Sequence, residues 1–337
     1  MTPTPDDDLV AQIEAVEEKL ALARKSIERR FIGQEKVVEL TLSALLCGGH
    51  GLLIGLPGLG KTRLVEALST VMGLHGNRIQ FTPDLMPADI LGSEVLETAA
   101  DGSRAFRFLP GPVFCQLLMA DEINRASPRT QSALLQAMQE RQVTVAGEDR
   151  DLGQPFHVLA TQNPIEQEGT YSLPEAQLDR FLVQIDVEYP DRDTERAILL
   201  ATTGVAEEEA HAVFTTEELI AAQKLLRRMP VGESVVEQIL DLVRACRPDD
   251  PGASQRVRES VNWGPGPRAA QALMMTVRAR AMLNGRLAPS TDDVLAMARP
   301  VLSHRMGLNF AARARGDSLA DLIDETAAAV TRSEAAA

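Results

Sequence analysis

The sequence has few cysteines, few aromatic residues and no excess of positive charge, and each shortage excludes a class of protein. The three cysteines, Cys47, Cys115 and Cys246, are far apart and form no CxxC pair. They are therefore expected to be reduced core residues rather than disulfides or zinc ligands. Aromatic residues make up 4% of the chain, and the prevalence of alanine and leucine favours helices over a β-sandwich.

Charge and hydropathy limit the partners. The net charge is −14, whereas a dedicated nucleic-acid binder needs a basic face for phosphate contacts. No apolar run approaches the roughly 18 residues that suggest a membrane span. The acidic segment 1–8 also lacks the apolar stretch of a secretory signal. We therefore expect a cytoplasmic protein without membrane insertion, and nucleic acid is not the expected partner.

The order of strand-like and helix-like segments predicts an α/β fold. At about 150 residues per domain, the length suggests two domains. Short apolar strands alternate with helical segments up to Tyr189-Pro190, and nearly everything that follows is helical. The expected division is an N-terminal helix or linker at 1–30, an αβα core at 31–190, and an all-helical domain with a short tail at 191–337.

A phosphate-binding loop (P-loop), Gly-x4-Gly-Lys-Thr, occupies residues 55–62 between a predicted strand and a predicted helix. Its glycines let successive N–H groups face phosphate oxygens at the helix N-terminus. Lys61 can reach the β- and γ-phosphates of ATP, and the Thr62 hydroxyl can bind Mg²⁺. The other residues of this region expected to line the nucleotide are Gly55, Pro57, Gly58, Leu59, Gly60 and Arg63.

Two further strands are predicted to end in polar residues. The strand at 117–120 ends at Asp121-Glu122, which suits a site beside a P-loop. Asp121 is expected to hold Mg²⁺, usually through water, and Glu122 to act as the base for the attacking water. The strand before Asn163 places that amide where it can lie between the γ-phosphate and the water.

Several segments resemble the MoxR family of AAA+ ATPases. They are residues 58–62, 80–85, 120–126, 136–140, 160–164, 168–171 and 174–181. The resemblance runs roughly from Phe31 to Arg315. It implies an AAA+ αβα nucleotide-binding domain, with ATP lying between this domain and a C-terminal all-helical lid.

The resemblance also implies roles for individual residues. Asn163 matches sensor 1, and Arg180 matches the arginine finger that reaches the γ-phosphate of the neighbouring subunit. From the residues alone, Arg180 could instead form a surface salt bridge with Asp179 or another acid. Arg268 matches sensor 2, and we expect it to join Lys61 at the same phosphates.

Other matches are looser. The turn before Arg268 reads Gly-Pro-Gly-Pro, which departs from the usual family pattern Gly-Ala-Ser-Pro-Arg but keeps the arginine. Ile32 and Gly33 stand where AAA+ proteins contact adenine. A hairpin at 93–108 matches the helix-2 insert, and one at 142–160 matches the pre-sensor hairpin. Ordinary surface hairpins are the alternative for both.

The resemblance further implies Mg²⁺-dependent hydrolysis of ATP by a ring of subunits, which we expect to be a hexamer. It also implies a chaperone-like role in remodelling or maturing protein complexes. A partner carrying a von Willebrand factor A domain is also implied. The alternatives are a magnesium-chelatase-like subunit, a nucleic-acid motor and a non-hydrolysing binding module. The intact Asp121-Glu122 pair argues against the last, and the acidic charge argues against the motor.

Overall fold

The computed structural model describes residues 5–98, 103–165, 170–203 and 210–334. Its helices are α1 Pro5–Arg30, α2 Glu35–Leu46, α3 Lys61–Val71, α4 Pro87–Leu91, α5 Pro128–Glu140, α6 Glu175–Leu178, α7 Arg192–Thr203, α8 Thr216–Arg228, α9 Glu233–Ala245, α10 Gln255–Ser260, α11 Pro267–Leu283, α12 Thr291–Leu302, α13 Phe310–Arg315 and α14 Leu319–Glu334. Its strands are β1 Gly51–Gly55, β2 Gly76–Gln80, β3 Gly92–Thr98, β4 Arg104–Pro110, β5 Leu117–Asp121, β6 Gln142–Val145, β7 Glu148–Asp151, β8 His157–Gln162, β9 Val183–Val187, β10 Val261–Trp263 and β11 Gly307–Leu308.

The central sheet confirms the α/β prediction. Within the described residues it has five parallel strands in the order β2-β5-β8-β1-β9. Apolar clusters cover both of its faces, which explains why β5 is a continuous apolar run before its terminal acid. Parallel strands place all their carboxyl ends at one edge, where ligands bind in open α/β sheets.

Local capping fixes several helix starts. The Ser127 hydroxyl accepts a hydrogen bond from the Thr130 backbone N–H at the start of α5, and Pro128 occupies the first turn. Before α8, the Thr215 backbone N–H donates to the Glu218 carboxylate while the Thr215 hydroxyl accepts from the Glu218 N–H. These two reciprocal hydrogen bonds form a capping box.

The N-terminal helix packs into the core. Helix α1 buries Ile13 and Leu20, together with Ile27 about two turns further on. These side chains belong to the same apolar cluster as α2, α3 and the lid helices. Helix α1 therefore connects the nucleotide domain to the lid rather than standing apart from both.

The two predicted hairpins differ in outcome. Strands β3 and β4 pair as predicted, although the turn at 99–102 lies outside the described residues. The hairpin expected at 142–160 is shorter in the structure: strand β6 pairs with β7, and the end of that segment joins the central sheet as part of β8. The sequence Glu-Asp-Arg-Asp of β7 has no buried apolar face, so the period-two pattern that reveals a strand is missing.

The C-terminal domain is helical as expected, but it also contains a small antiparallel pair, β10 and β11. These strands are three and two residues long, too short to produce a recognisable pattern. Of the segment 174–181, only Glu175–Leu178 forms an α-helix, α6, which ends at the C-cap residue Asp179. None of the helices in the described ranges is long and apolar enough to cross a membrane.

Three buried histidines should make the fold sensitive to acid. Burial lowers the pKa of His50 to about 3 and that of His157 to about 4, and it lowers the pKa of His304 well below its usual range. In the unfolded chain each pKa returns to about 6.5. Below that pH the unfolded state binds protons that the folded state excludes. Stability is therefore full above pH 6.5 and falls as the pH drops toward 4.

We expect each buried histidine to reduce the free energy of unfolding by about 2 kcal/mol at pH 5 relative to pH 8. Urea unfolding across this pH range measures the loss. His157→Gln should flatten the pH dependence, whereas His211→Gln, which changes an exposed side chain, should leave it unchanged. Equal slopes for the parent and His157→Gln would contradict the assignment.

Candidate nucleotide site

The P-loop lies at the carboxyl edge of the sheet, between β1 and α3. Gly58 and Gly60 have positive φ angles of 85° and 75°, which glycine adopts without strain. A Cβ on Gly55 would lie 2.6 Å from the Val187 carbonyl oxygen on β9. The loop therefore needs glycine both for its curvature and for its close approach to the neighbouring strand.

The Lys61 ammonium lies inside this loop. It donates hydrogen bonds to the carbonyl oxygens of Gly55 at 2.5 Å and Leu56 at 2.8 Å. Burial lowers the pKa of Lys61, while the carboxylates of Asp121 and Glu122 act in the opposite direction. A compact cation is thus held between the loop backbone and two acids, which suits it to phosphate.

A threonine links the two acids to the adjacent strand. The Thr161 hydroxyl donates to Asp121 Oδ1 at 2.5 Å and accepts from the Glu122 backbone N–H at 2.9 Å. Glu122 itself has a positive φ of 55°, so this bond holds it in a backbone conformation that is uncommon outside glycine. No motif in the sequence points to Thr161 as a functional residue. Only the pairing of β5 with β8 identifies it.

Three more side chains bind the carboxylates. Arg78 donates to Asp121 Oδ2 at 2.6 Å, and Gln80 and Arg125 each donate to Glu122 Oε2 at 2.9 Å. Sequence reasoning did not assign these residues. The alternation of Arg78 and Gln80 on β2 becomes informative only once β2 is known to pair with β5, where Gln80 lies opposite Asp121.

Beside the P-loop lies a cleft of about 920 Å³. Among the residues that line it are Arg29, Arg30, Phe31, Ile32, Gln34, Pro57, Gly58, Leu59, Gly60, Arg63, Tyr189, Glu195, Ile198 and Leu199. Gly33 packs behind it, since its Cβ would lie 2.1 Å from Thr194 Cγ2 on α7. The mostly apolar walls next to a phosphate loop suit a nucleobase.

Asn163 and Thr62 lie at the same edge. Strand β8, which precedes Asn163, runs between β5 and β1. The Asn163 side-chain oxygen accepts a hydrogen bond from the Ile165 N–H at 3.1 Å and so fixes the turn. Thr62 is the second residue of α3, directly after Lys61. The sheet therefore brings the predicted phosphate, metal and water residues to one edge.

Arg180 and Arg268 lie elsewhere. Both line a second cleft of about 710 Å³, and within the described ranges no residue of the P-loop contributes to its walls. The Arg268 guanidinium is 3.8 Å from Asp179 Oδ2. The structure thus places Arg268 beside the Arg180 segment, and its expected role at the phosphates together with Lys61 stays a prediction. Helix α11 begins next to the turn at 179–182, since Arg268 is its second residue.

The alternative of an Asp179–Arg180 salt bridge also finds no support. Asp179 pairs with Arg305 at 2.8 Å. Arg180 forms no ion pair with any residue in the described part of the chain. Arg180 contributes to the wall of the second cleft.

The sheet order, the P-loop and the paired acids define a P-loop ATPase of the AAA+ class. Residues 50–183 match the ATPase family associated with various cellular activities (AAA), and residues 253–326 match the AAA lid domain. The chain is 38% identical to Chaperone MoxR1 of Mycobacterium tuberculosis, over 95% of this chain and 81% of the relative. The chain belongs to the MoxR family of AAA+ ATPases.

Other relatives agree. Protein MoxR of Paracoccus denitrificans is 32% identical, over 90% of this chain and 93% of its own length. The uncharacterized protein YeaC of Bacillus subtilis is 39% identical, over 92% and 94%. The solved structure of a candidate ATPase from Cytophaga hutchinsonii superposes with a TM-score of 0.86 at 34% identity, covering 94% of this chain and 95% of that one.

Lys61→Ala tests the P-loop assignment. Removing a cation that pairs with phosphate in a partly buried site should weaken ATP binding by about tenfold or more. Titration calorimetry measures the affinity. Lys224→Ala, which removes an exposed lysine on α8, is the matched control and should bind like the parent. Unchanged affinity in Lys61→Ala would overturn the assignment.

Proposed function

We propose that the protein hydrolyses ATP to ADP and phosphate, with Mg²⁺, and uses this turnover for chaperone-like remodelling or maturation of protein complexes. The observation that carries the proposal is the convergence of Lys61, Asp121 and Glu122 at one edge of the sheet. Thr62 and Asp121 supply the hydroxyl and carboxylate oxygens that Mg²⁺ prefers. When bound there, Mg²⁺ would neutralise charge on the phosphate oxygens.

The chain's own residues divide the chemistry among them. Lys61 and the loop N–H groups bind the phosphates, and Glu122 accepts the proton of the attacking water. The bonds from Gln80 and Arg125 orient the Glu122 carboxylate, since both reach the same oxygen. Asn163, at the end of the strand between the P-loop strand and the acids, orients the water.

The position of the second cleft supports a ring. Arg180 and Arg268 line a cleft separate from that of the P-loop, so both are suited to act on the ATP of a neighbouring subunit. The family resemblance favours a hexamer, a von Willebrand factor A domain partner and a cytoplasmic location. The name of the Mycobacterium tuberculosis relative, a chaperone, supports the proposed role.

Glu122→Gln separates binding from chemistry. The amide keeps the shape of the side chain but cannot accept the proton, so turnover should fall by at least ~10²-fold. ATP affinity should stay near the parental value, because the P-loop contacts remain. A phosphate-release assay and calorimetry measure the two quantities. Parental turnover in this variant would show that Glu122 is not the base.

Mixed rings test action between subunits. Arg180→Ala and Glu122→Gln should each be nearly inactive, since an arginine supplied by a neighbour can be worth ~10³-fold in rate in P-loop enzymes. In a mixture, some sites combine an intact Glu122 with an intact Arg180 from the next subunit, so activity should partly return. Mixing Arg180→Ala with Arg268→Ala is the control, because both changes affect the same cleft and should not complement. Mixed rings that form without recovering activity would contradict the proposal.

A further inference from the structure

A buried arginine of the lid binds the segment that carries Arg180. Arg305 lies in the 3₁₀ turn Ser303–Arg305 after α12, and its side chain is 4% exposed. Its Nε donates to Asp179 Oδ1 at 2.8 Å. Its two terminal nitrogens donate to the carbonyl oxygens of Phe181 at 2.6 Å and Leu182 at 3.0 Å.

These hydrogen bonds pair the backbone carbonyl groups of a segment that has no regular secondary structure. Residues 179–182 lie between α6 and β9, so their carbonyl groups have no helical or strand partners. Buried carbonyl groups require such partners. The Phe181 carbonyl oxygen also contacts His304 Nε2 at 2.9 Å. The lid therefore supplies the hydrogen bonds that fix the backbone on both sides of Arg180.

Asp179 extends this connection to the second candidate arginine. One carboxylate oxygen accepts from Arg305, and the other lies 3.8 Å from the Arg268 guanidinium. Arg305 is anchored in its own element as well, since it donates to the Val301 carbonyl oxygen at 2.6 Å. The buried Arg305 guanidinium thus connects the lid to the Arg180 segment directly, and to Arg268 through Asp179.

We propose that Arg305, acting through Asp179 and the carbonyl groups of the 179–182 turn, is a positioning residue that aims Arg180 at the ATP of the neighbouring subunit. This inference rests on the proposed function. It requires the planar fork of arginine, because a lysine keeps the charge but cannot reach several fixed acceptors at once. Arg305 also lines the second cleft, but its side chain is 4% exposed and its guanidinium is already bound to Asp179 and to backbone carbonyl groups.

Arg305→Lys isolates geometry from charge. Turnover at saturating ATP should fall at least about tenfold, since a displacement of the order of 1 Å in a catalytic group can cost 10²-fold. ATP affinity should stay within about twofold, because the P-loop lies at another cleft. Arg286→Lys is the matched control. It alters another lid arginine, which pairs with buried Asp293, and should leave turnover near the parental rate.

Complementation distinguishes positioning from general damage. Arg305→Lys mixed with Glu122→Gln should exceed the sum of the separate activities, because the Glu122→Gln subunits carry an intact finger segment. Arg305→Lys mixed with Arg180→Ala should not, since both affect the donor side. Asp179→Asn changes a partly exposed residue of the same network and should behave like Arg305→Lys. If Arg305→Lys fails to fold, this variant decides the question.

The outcomes separate the two proposals. Parental turnover in Arg305→Lys overturns the positioning role and leaves the proposed function intact. The same conclusion follows if Glu122→Gln restores activity to Arg180→Ala but not to Arg305→Lys. If Glu122→Gln complements neither variant in rings that demonstrably mix, action between subunits is wrong and the positioning role is overturned with it.

Discussion

The parallel direction of the central strands is the constraint on which the site depends. Strands β5, β8 and β1 are parallel neighbours in the sheet. Their carboxyl ends therefore lie at the same edge, and this edge carries the paired acids, the residues after β8 and the P-loop. The Thr161 hydroxyl then ties the acids of β5 to β8. Sheet order thereby places Lys61, Asp121 and Glu122 together.

How far the sequence predicts the molecule depends on whether a feature is local. The fold class and the family could be predicted because the P-loop, the apolar strands and the helix caps are encoded in contiguous residues. The partners of Arg78, Gln80 and Arg125 could not, since they depend on which strands are neighbours. The polar strand β7 could not be predicted for another reason, because it has no buried apolar face.

The position of Arg268 in the fold is a feature that its motif alone does not determine. The sequence pattern around Arg268, an arginine at the start of a helix after a turn, would be the same whichever cleft Arg268 faced. What decides the cleft is how α11 docks against the rest of the chain, and this follows from packing among α2, α9 and α12. Tertiary arrangement, not the motif, therefore determines which ATP such an arginine can approach.

The cations of this acidic chain are distributed in a way that fits a composite site. Lys61 lies in the P-loop beside the first cleft, which Arg29, Arg30 and Arg63 line. Four arginines line the second cleft: Arg180, Arg227, Arg268 and Arg305. Under the proposed function, a triphosphate bound by Lys61 would expose oxygens away from the P-loop, and a second copy would approach them with its arginines. Under the proposed function, one subunit therefore contains two different halves of a site, and hydrolysis requires contact between copies. Since the same lid turn that carries Arg305 fixes the donor half, the position of the lid controls whether the two halves match.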